Sequence, residues 1–214
     1  VLAKNSTDLE SVLSRFIPEG AVPLACDWLR RYPHHIEITG PRRTKQGDFS
    51  VRPDRKKHQI TVNGNLNPYA FLITLMHELA HLITYVEHGM HVKPHGEEWK
   101  NNFRKTLGPF LSIPIFPQDV HHAVHHYLTN PDAATCSNVP LSVVLAKYDR
   151  HSNPHVVLLE SLTDGWNFYY GKEKREFMRI KKNRTRILCR EVNTGSEYLF
   201  SPVTKVLKSD HHRH

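Results

Sequence analysis

Phe71-Leu-Ile-Thr-Leu-Met-His77-Glu78-Leu-Ala-His81-Leu-Ile83 is the stretch whose reading decides this chain. Two histidines four residues apart fall on one face of a helix, a turn from one another, where their imidazoles can share one ion. Glu78 follows His77 directly, so it projects beside such an ion rather than onto it. It is then placed to take a proton from water and return it to a leaving amine. Zinc suits this donor set and lowers the pKa of the water it holds to about 7. A competing reading makes His77 and His81 the polar side of an ordinary core helix. Yet Leu72, Leu75, Leu79, Leu82, Ile83 and Val86 leave the helix apolar nearly all round. Two histidines and a glutamate within it are costly to bury without partners.

A catalytic zinc takes three protein ligands and keeps one open position. Downstream donors are Glu87, His88, His91, His95, Glu97 and Glu98. The metzincin pattern requires Gly and His where this chain has Thr84 and Glu87, so that class is excluded. Two options remain. One is a glutamate on the next helix, Glu97 or Glu98. The other is His95, just ahead of that helix. Pro94 before it, Gly96 to relieve the backbone and Trp99 to anchor the helix suit the second.

Asn67 and Pro68 read as the cap and first turn of the metal helix, which runs from Tyr69 to about Glu87. Before it, short runs at 35–39, 49–51 and 58–62 have strand character. Gly40-Pro41, Gly47 and Asn63-Gly64-Asn65 separate or follow them as turns, which predicts a small antiparallel meander. Helices are expected over 8–16, from Pro23 to 31, and over 97–107, 118–128 and 141–148. A β-rich tail is expected with strands at 156–159, 166–170, 176–180, 186–190 and 198–200. The fold class is α+β, with a metal domain over 1–130 and a β-rich module over 136–208.

HELAH followed after a 13-residue spacer by His95-Gly96-Glu97-Glu98-Trp99 resembles the SprT-like metallopeptidase family, which includes the eukaryotic Spartan proteases. Arg43-Thr44-Lys45-Gln46-Gly47 and Ile60-Thr61-Val62-Asn63 are similar to the strands preceding that family's motif. The resemblance covers roughly residues 30 to 110, and the run from Asn130 to Ser137 is similar to bacterial members. It implies a minimal zincin-like domain in which His77, His81 and His95 hold one catalytic zinc and Glu78 is the catalytic residue. For the Spartan branch it also implies proteolysis of proteins crosslinked to DNA. Many members carry a four-cysteine zinc ribbon after the peptidase domain. This tail has only Cys136 and Cys189, so a ribbon-like β module without metal is expected.

The remaining sequence bounds that expectation. With 39% hydrophobic and 23% charged residues, the 214-residue chain has the composition of a soluble globular protein. Cys26, Cys136 and Cys189 form no CxxC pair and no disulfide framework. Neither a secretory h-region nor a long uninterrupted apolar run is present, so the expected compartment is the cytoplasm, with no membrane partner. A net charge of +8 favours a polyanionic partner. Basic residues gather over 42–57 and again over 172–190, where nine Lys or Arg stand against Glu173 and Glu176, with Trp166, Phe168, Tyr169, Tyr170 and Phe177 among or before them. Such a surface can track a DNA backbone and stack on unpaired bases. The rival reading makes those aromatics the core of a small sheet. His121, His122, His125 and His126 are read as a partly solvated helix face rather than a second metal site. Protein or peptide is the expected substrate. A nucleic-acid adaptor with a structural zinc, and a zinc hydrolase of a small substrate, are the two rivals.

Overall fold

The computed structural model describes residues 6–42, 45–52, 58–131, 138–149 and 153–209. The chain divides into two compact units, Val1–Arg150 and His151–His214, each with its own apolar core. Helix and sheet are mixed as α+β.

In the first unit α1 (Ser6–Leu13) and α2 (Val22–Arg30) precede a three-stranded sheet of β1 (His34–Thr39), β2 (Gly47–Ser50) and β3 (His58–Asn63). The strand order is β1-β3-β2, with β3 parallel to β1 and antiparallel to β2. The expected antiparallel meander is therefore corrected. The segment between β1 and β2 crosses β3, and only β2 and β3 form a hairpin. Burial explains the order: β3 carries Ile60 and Val62 with no exposed surface, whereas β1 and β2 carry His35, Glu37, Asp48 and Ser50, which suit edges.

Helix α3 (Pro68–His88) lies against this sheet. It starts as its sequence requires. The Asn67 side chain accepts from the Ala70 N–H at 2.9 Å, and Pro68 occupies the first turn. It ends at Gly89, whose φ of 65° is the left-handed conformation that favours glycine. By length and composition α3 is apolar enough to cross a membrane, the one such helix among the described residues. Most of it is buried inside the fold, as a core helix is. Phe71, Leu72, Ile73, Leu75, Met76 and Leu79 are all inaccessible to solvent.

Helices α4 (Glu97–Leu107), α5 (Gln118–Thr129) and α6 (Val139–Ala146) complete the unit. Asn102 ties α4 to α3, donating to Thr84 Oγ1 at 3.1 Å and Glu87 Oε2 at 2.8 Å. Leu141 and Leu145 of α6 enter the same core, and Asn67 donates to the Leu145 carbonyl at 2.8 Å. Tyr148 donates to Asp119 of α5 at 2.7 Å. For that reason the compact unit runs to Arg150, past the boundary expected between residues 130 and 136. The tail motif at 132–137, with Cys136, and the terminal histidines His211, His212 and His214 lie outside the described residues.

The second unit is a six-stranded antiparallel sheet of order β4-β9-β5-β6-β7-β8. Its strands are β4 (Val156–Leu158), β5 (Asn167–Tyr170), β6 (Arg175–Lys182), β7 (Ile187–Glu191), β8 (Glu197–Phe200) and β9 (Lys205–Lys208). Strand β9, not expected from sequence, inserts between β4 and β5. With only Val206 and Leu207 between two lysines, it is too short to announce itself by alternation. Phe168 stacks on Phe177 at 5.7 Å in a core shared with Ile187, Cys189 and Val206. These two aromatics are thus core residues, as the rival reading held. Cys189 is buried there, and burial pushes its thiol up to about 12.

Candidate metal centre

His77 and His81 project from the middle of α3, and His95 reaches them from the loop before α4. Their Nε2 atoms form a triangle with sides of 3.3 Å (His77 to His81), 3.3 Å (His77 to His95) and 2.9 Å (His81 to His95). The three histidines are a group able to hold one metal ion. Hydrogen bonding does not account for the arrangement. Each Nε2 carries either one proton or one lone pair, so three such atoms cannot satisfy three mutual contacts. A cation can, by drawing in all three lone pairs. Nitrogens about 2.0–2.1 Å from a tetrahedral metal stand about 3.3–3.4 Å apart, close to two of the three observed sides.

Electrostatics favour the same state. Burial, together with the nearby imidazoles of His81 and His95, holds His77 well below the usual histidine range. Burial and His95 take His81 down to about 3, and burial lowers His95. All three rings are therefore neutral, the form that binds metal. Trp99 backs the cluster. Its indole, 1% exposed, lies 4.6, 5.3 and 4.7 Å from the His77, His81 and His95 rings and stacks on Phe103 at 5.0 Å.

The loop holds His95 by a local strain. His95 itself takes the left-handed conformation, φ 59°, one of two non-glycine residues with positive φ among those described. Such a conformation costs on the order of 1–3 kcal/mol and persists where the surroundings enforce it. Gly96, expected to relieve the backbone, has an ordinary φ of −69°. Its role is clearance, since a Cβ there would lie 3.0 Å from the Lys93 carbonyl oxygen.

Glu78 is buried on the sheet side of α3, under strand β2. Burial pushes its carboxyl up to about 8, and the Asp48 carboxylate adds to the rise. The Phe49 backbone N–H, Arg42 and Lys45 act in the opposite direction. A cation held by the histidines would act with Arg42 and Lys45, favouring the carboxylate. Sequence reading took Gly47 for a turn residue and gave Asp48 no role. Gly47 instead opens β2 directly against Glu78, and Asp48 accepts from Lys45 at 2.9 Å beside it. No local pattern marks either residue, because the approach is made between residues of different elements, far apart along the chain.

The other candidate ligands, Glu87, His88, His91, Glu97 and Glu98, stay out of the cluster; Glu87 accepts from Asn102 instead. In the helix run 121–126, His121 Nε2 lies 3.1 Å from the Leu111 carbonyl oxygen. Of the basic group at 42–57, Arg42 donates to Asn63 and Thr61, while Arg43, Arg55, Lys56 and Lys57 lie outside the described residues. In 172–190, Arg175, Arg179, Lys182 and Arg190 pair with Glu191, Asp164, Glu160 and Glu197. Exposed Lys172 and Lys174 precede β6, whereas Lys181, Arg184 and Arg186 lie at or beyond its far end, roughly 25 Å away along a strand of that length.

Two histidines a helical turn apart, joined by a third from the following loop, form a three-histidine cluster on an HExxH helix that could hold a metal ion. The SprT-like family profile matches residues 28–126, which include all three histidines and Glu78. Over this segment the chain is similar to the SprT-like family. It is similar to Protein SprT of Vibrio parahaemolyticus serotype O3:K6 (strain RIMD 2210633), with 46% identity over 55 residues, 24% of this chain and 33% of that protein. The matched stretch thus spans about a third of that relative's length. No solved structure matches the chain at a significant level.

Proposed function

We propose that the first unit is a zincin-like metallopeptidase domain that hydrolyses peptide bonds in protein substrates. The observation that carries this reading is the Nε2 triangle of His77, His81 and His95, together with Glu78, which follows His77 on α3 and is buried under strand β2. Zinc bound by the three histidines supplies Lewis acidity toward water and the scissile carbonyl. Glu78 takes the proton from the attacking water on its carboxylate and delivers it to the leaving amine. The Phe49 N–H holds that carboxylate in place. Among the described residues β2 is an edge strand, and apart from the Phe49 N–H given to Glu78 its outer side suits alignment of an extended peptide by backbone hydrogen bonds. Three histidine ligands match the number that leaves a catalytic zinc one open position, which favours this reading over a purely structural site.

The second unit is proposed as a ribbon-like β module held by its apolar core. The net charge of +8 and the exposed bases at either end of β6 support recruitment to DNA, so that DNA-bound or DNA-crosslinked proteins become substrates. The test incubates zinc-loaded wild type and Glu78→Gln with an unfolded protein, free and crosslinked to single-stranded DNA. Cleavage by wild type alone, faster on the crosslinked form, is expected. Equal activity of the two proteins would refute the mechanism, and indifference to DNA would refute the recruitment.

A further inference from the structure

Beside the metal centre lies a cavity of about 410 Å³ that the chemistry proposed above does not use. Its walls come from three places. Phe49 and Val51 face it from β2 and the residue following, Tyr85 from the last turns of α3, and Met90 and Val92 from the loop leading to His95. His81 and His95 close its inner end, so the cavity opens directly onto the metal site. The wall between strand and helix is aromatic and packed: Tyr85 meets His58 edge-on at 4.9 Å and Phe49 at 6.0 Å.

Several polar atoms at this lining are committed elsewhere, although the buried Trp99 indole N–H has no hydrogen-bond partner among the described residues. Thr84 Oγ1 donates to the Ala80 carbonyl at 2.7 Å and accepts from Asn102. The Nε2 atoms of His81 and His95 face one another and His77. Lys93, the one charged lining side chain, is exposed at the rim. A carboxylate entering here would give up most of its water against a largely apolar wall, whereas an apolar side chain would bury surface against Phe49, Val51, Tyr85 and Val92.

We infer that this cavity is a specificity subsite, which takes a bulky apolar side chain from a substrate residue flanking the scissile bond and selects against acidic or absent side chains. The inference rests on the peptidase reading for its substrate. The occupant follows from position: a peptide laid along β2 with its carbonyl at the histidine cluster has a neighbouring side chain over the cavity mouth. The volume exceeds the needs of a leucine or phenylalanine side chain, so size does not exclude either.

The test measures binding apart from turnover. Three peptide hydroxamates, alike except for an isobutyl, a hydrogen or a carboxymethyl side chain next to the metal-binding group, are titrated calorimetrically into the zinc-loaded full chain. The isobutyl compound is expected to bind roughly tenfold or more tighter than the hydrogen compound, with the carboxymethyl compound weakest. Val51→Arg, with its zinc content measured, should reverse the order of isobutyl and carboxymethyl. Val92→Arg, on the opposite wall, makes the same test should Val51→Arg fail to fold. Equal affinities, an order unchanged in an arginine variant that folds and retains zinc, or no binding by any compound would each overturn the subsite. Graded binding without hydrolysis of any protein substrate would instead sink the peptidase reading and leave the subsite standing.

Discussion

A methyl group at Gly47 would lie 2.6 Å from Oε1 of Glu78 and 2.7 Å from Cγ2 of Thr74. Strand β2 can therefore lie over the buried carboxylate only where it has no side chain. The Gly47→Ala protein should bind zinc as wild type does, because the atoms nearest the new methyl belong to Glu78 and Thr74 rather than to a histidine. Its hydrolytic rate should fall on the order of a hundredfold through a displaced Glu78. Elemental analysis and peptide hydrolysis on one preparation check this, and unchanged hydrolysis would show that the strand can yield.

A metal ion held by the histidine triangle would be part of the folded state. One zinc per chain is expected in wild type and none in His95→Ala. A hundredfold excess of free zinc over its dissociation constant should stabilise the native protein by about 2.7 kcal/mol. Thermal melts with and without a chelator measure that shift. Full zinc retention by His95→Ala would remove His95 from the ligand set.

Trp99 serves packing and site together, since it touches all three imidazoles while filling the core between α3 and α4. Trp99→Ala should cost about 3–5 kcal/mol in denaturant unfolding. Trp99→Phe, which keeps a ring in the cluster, should cost clearly less. Equal losses would mean that the indole's outer ring carries the packing.

Asn102 ties α4, the helix that follows His95, to α3, the helix that carries His77 and His81. Its side-chain N–H groups reach both Thr84 and Glu87, and the residue is 2% exposed. Asn102→Ala leaves those partners unsatisfied and should destabilise the fold by about 1–3 kcal/mol. Urea titration of variant and wild type gives the difference, and a change below the error of the fit would contradict the brace.

In the second unit, Arg175 meets the Glu191 carboxylate through two hydrogen bonds of 2.6 Å, and Thr194 adds a third at 2.7 Å. Together they hold Glu191 down to about 2, against an ordinary value of 4.5. A carboxyl depressed in the folded state contributes stability that is complete above the unfolded value and lost as pH falls through the folded one. Melting of this unit should weaken as pH falls from about 5 toward 2. In Glu191→Gln that part of the pH dependence should vanish. A wild-type profile indistinguishable from that of the variant would show that the pair does not govern acid stability.

By itself the sequence disclosed helix α3 and the residues His77, Glu78, His81 and His95 as candidates for one site. A four-residue spacing on an apolar helix with an Asn-Pro start is a local pattern, and local patterns survive without knowledge of the fold. It also disclosed most strands of the tail, where alternation is readable. Tertiary structure decided what depends on distant segments meeting. It brought His95 to the other two histidines and closed the Nε2 triangle, with His95 rather than Gly96 in the left-handed conformation. It set β1 parallel to β3 and drew α6 into the first unit. It also brought Gly47 over Glu78, and Phe49 and Val51 around the cavity beside the metal centre. Each of these joins residues whose separation along the chain carries no periodic signal, because what selects them is burial and close approach, properties that exist only once the elements have packed.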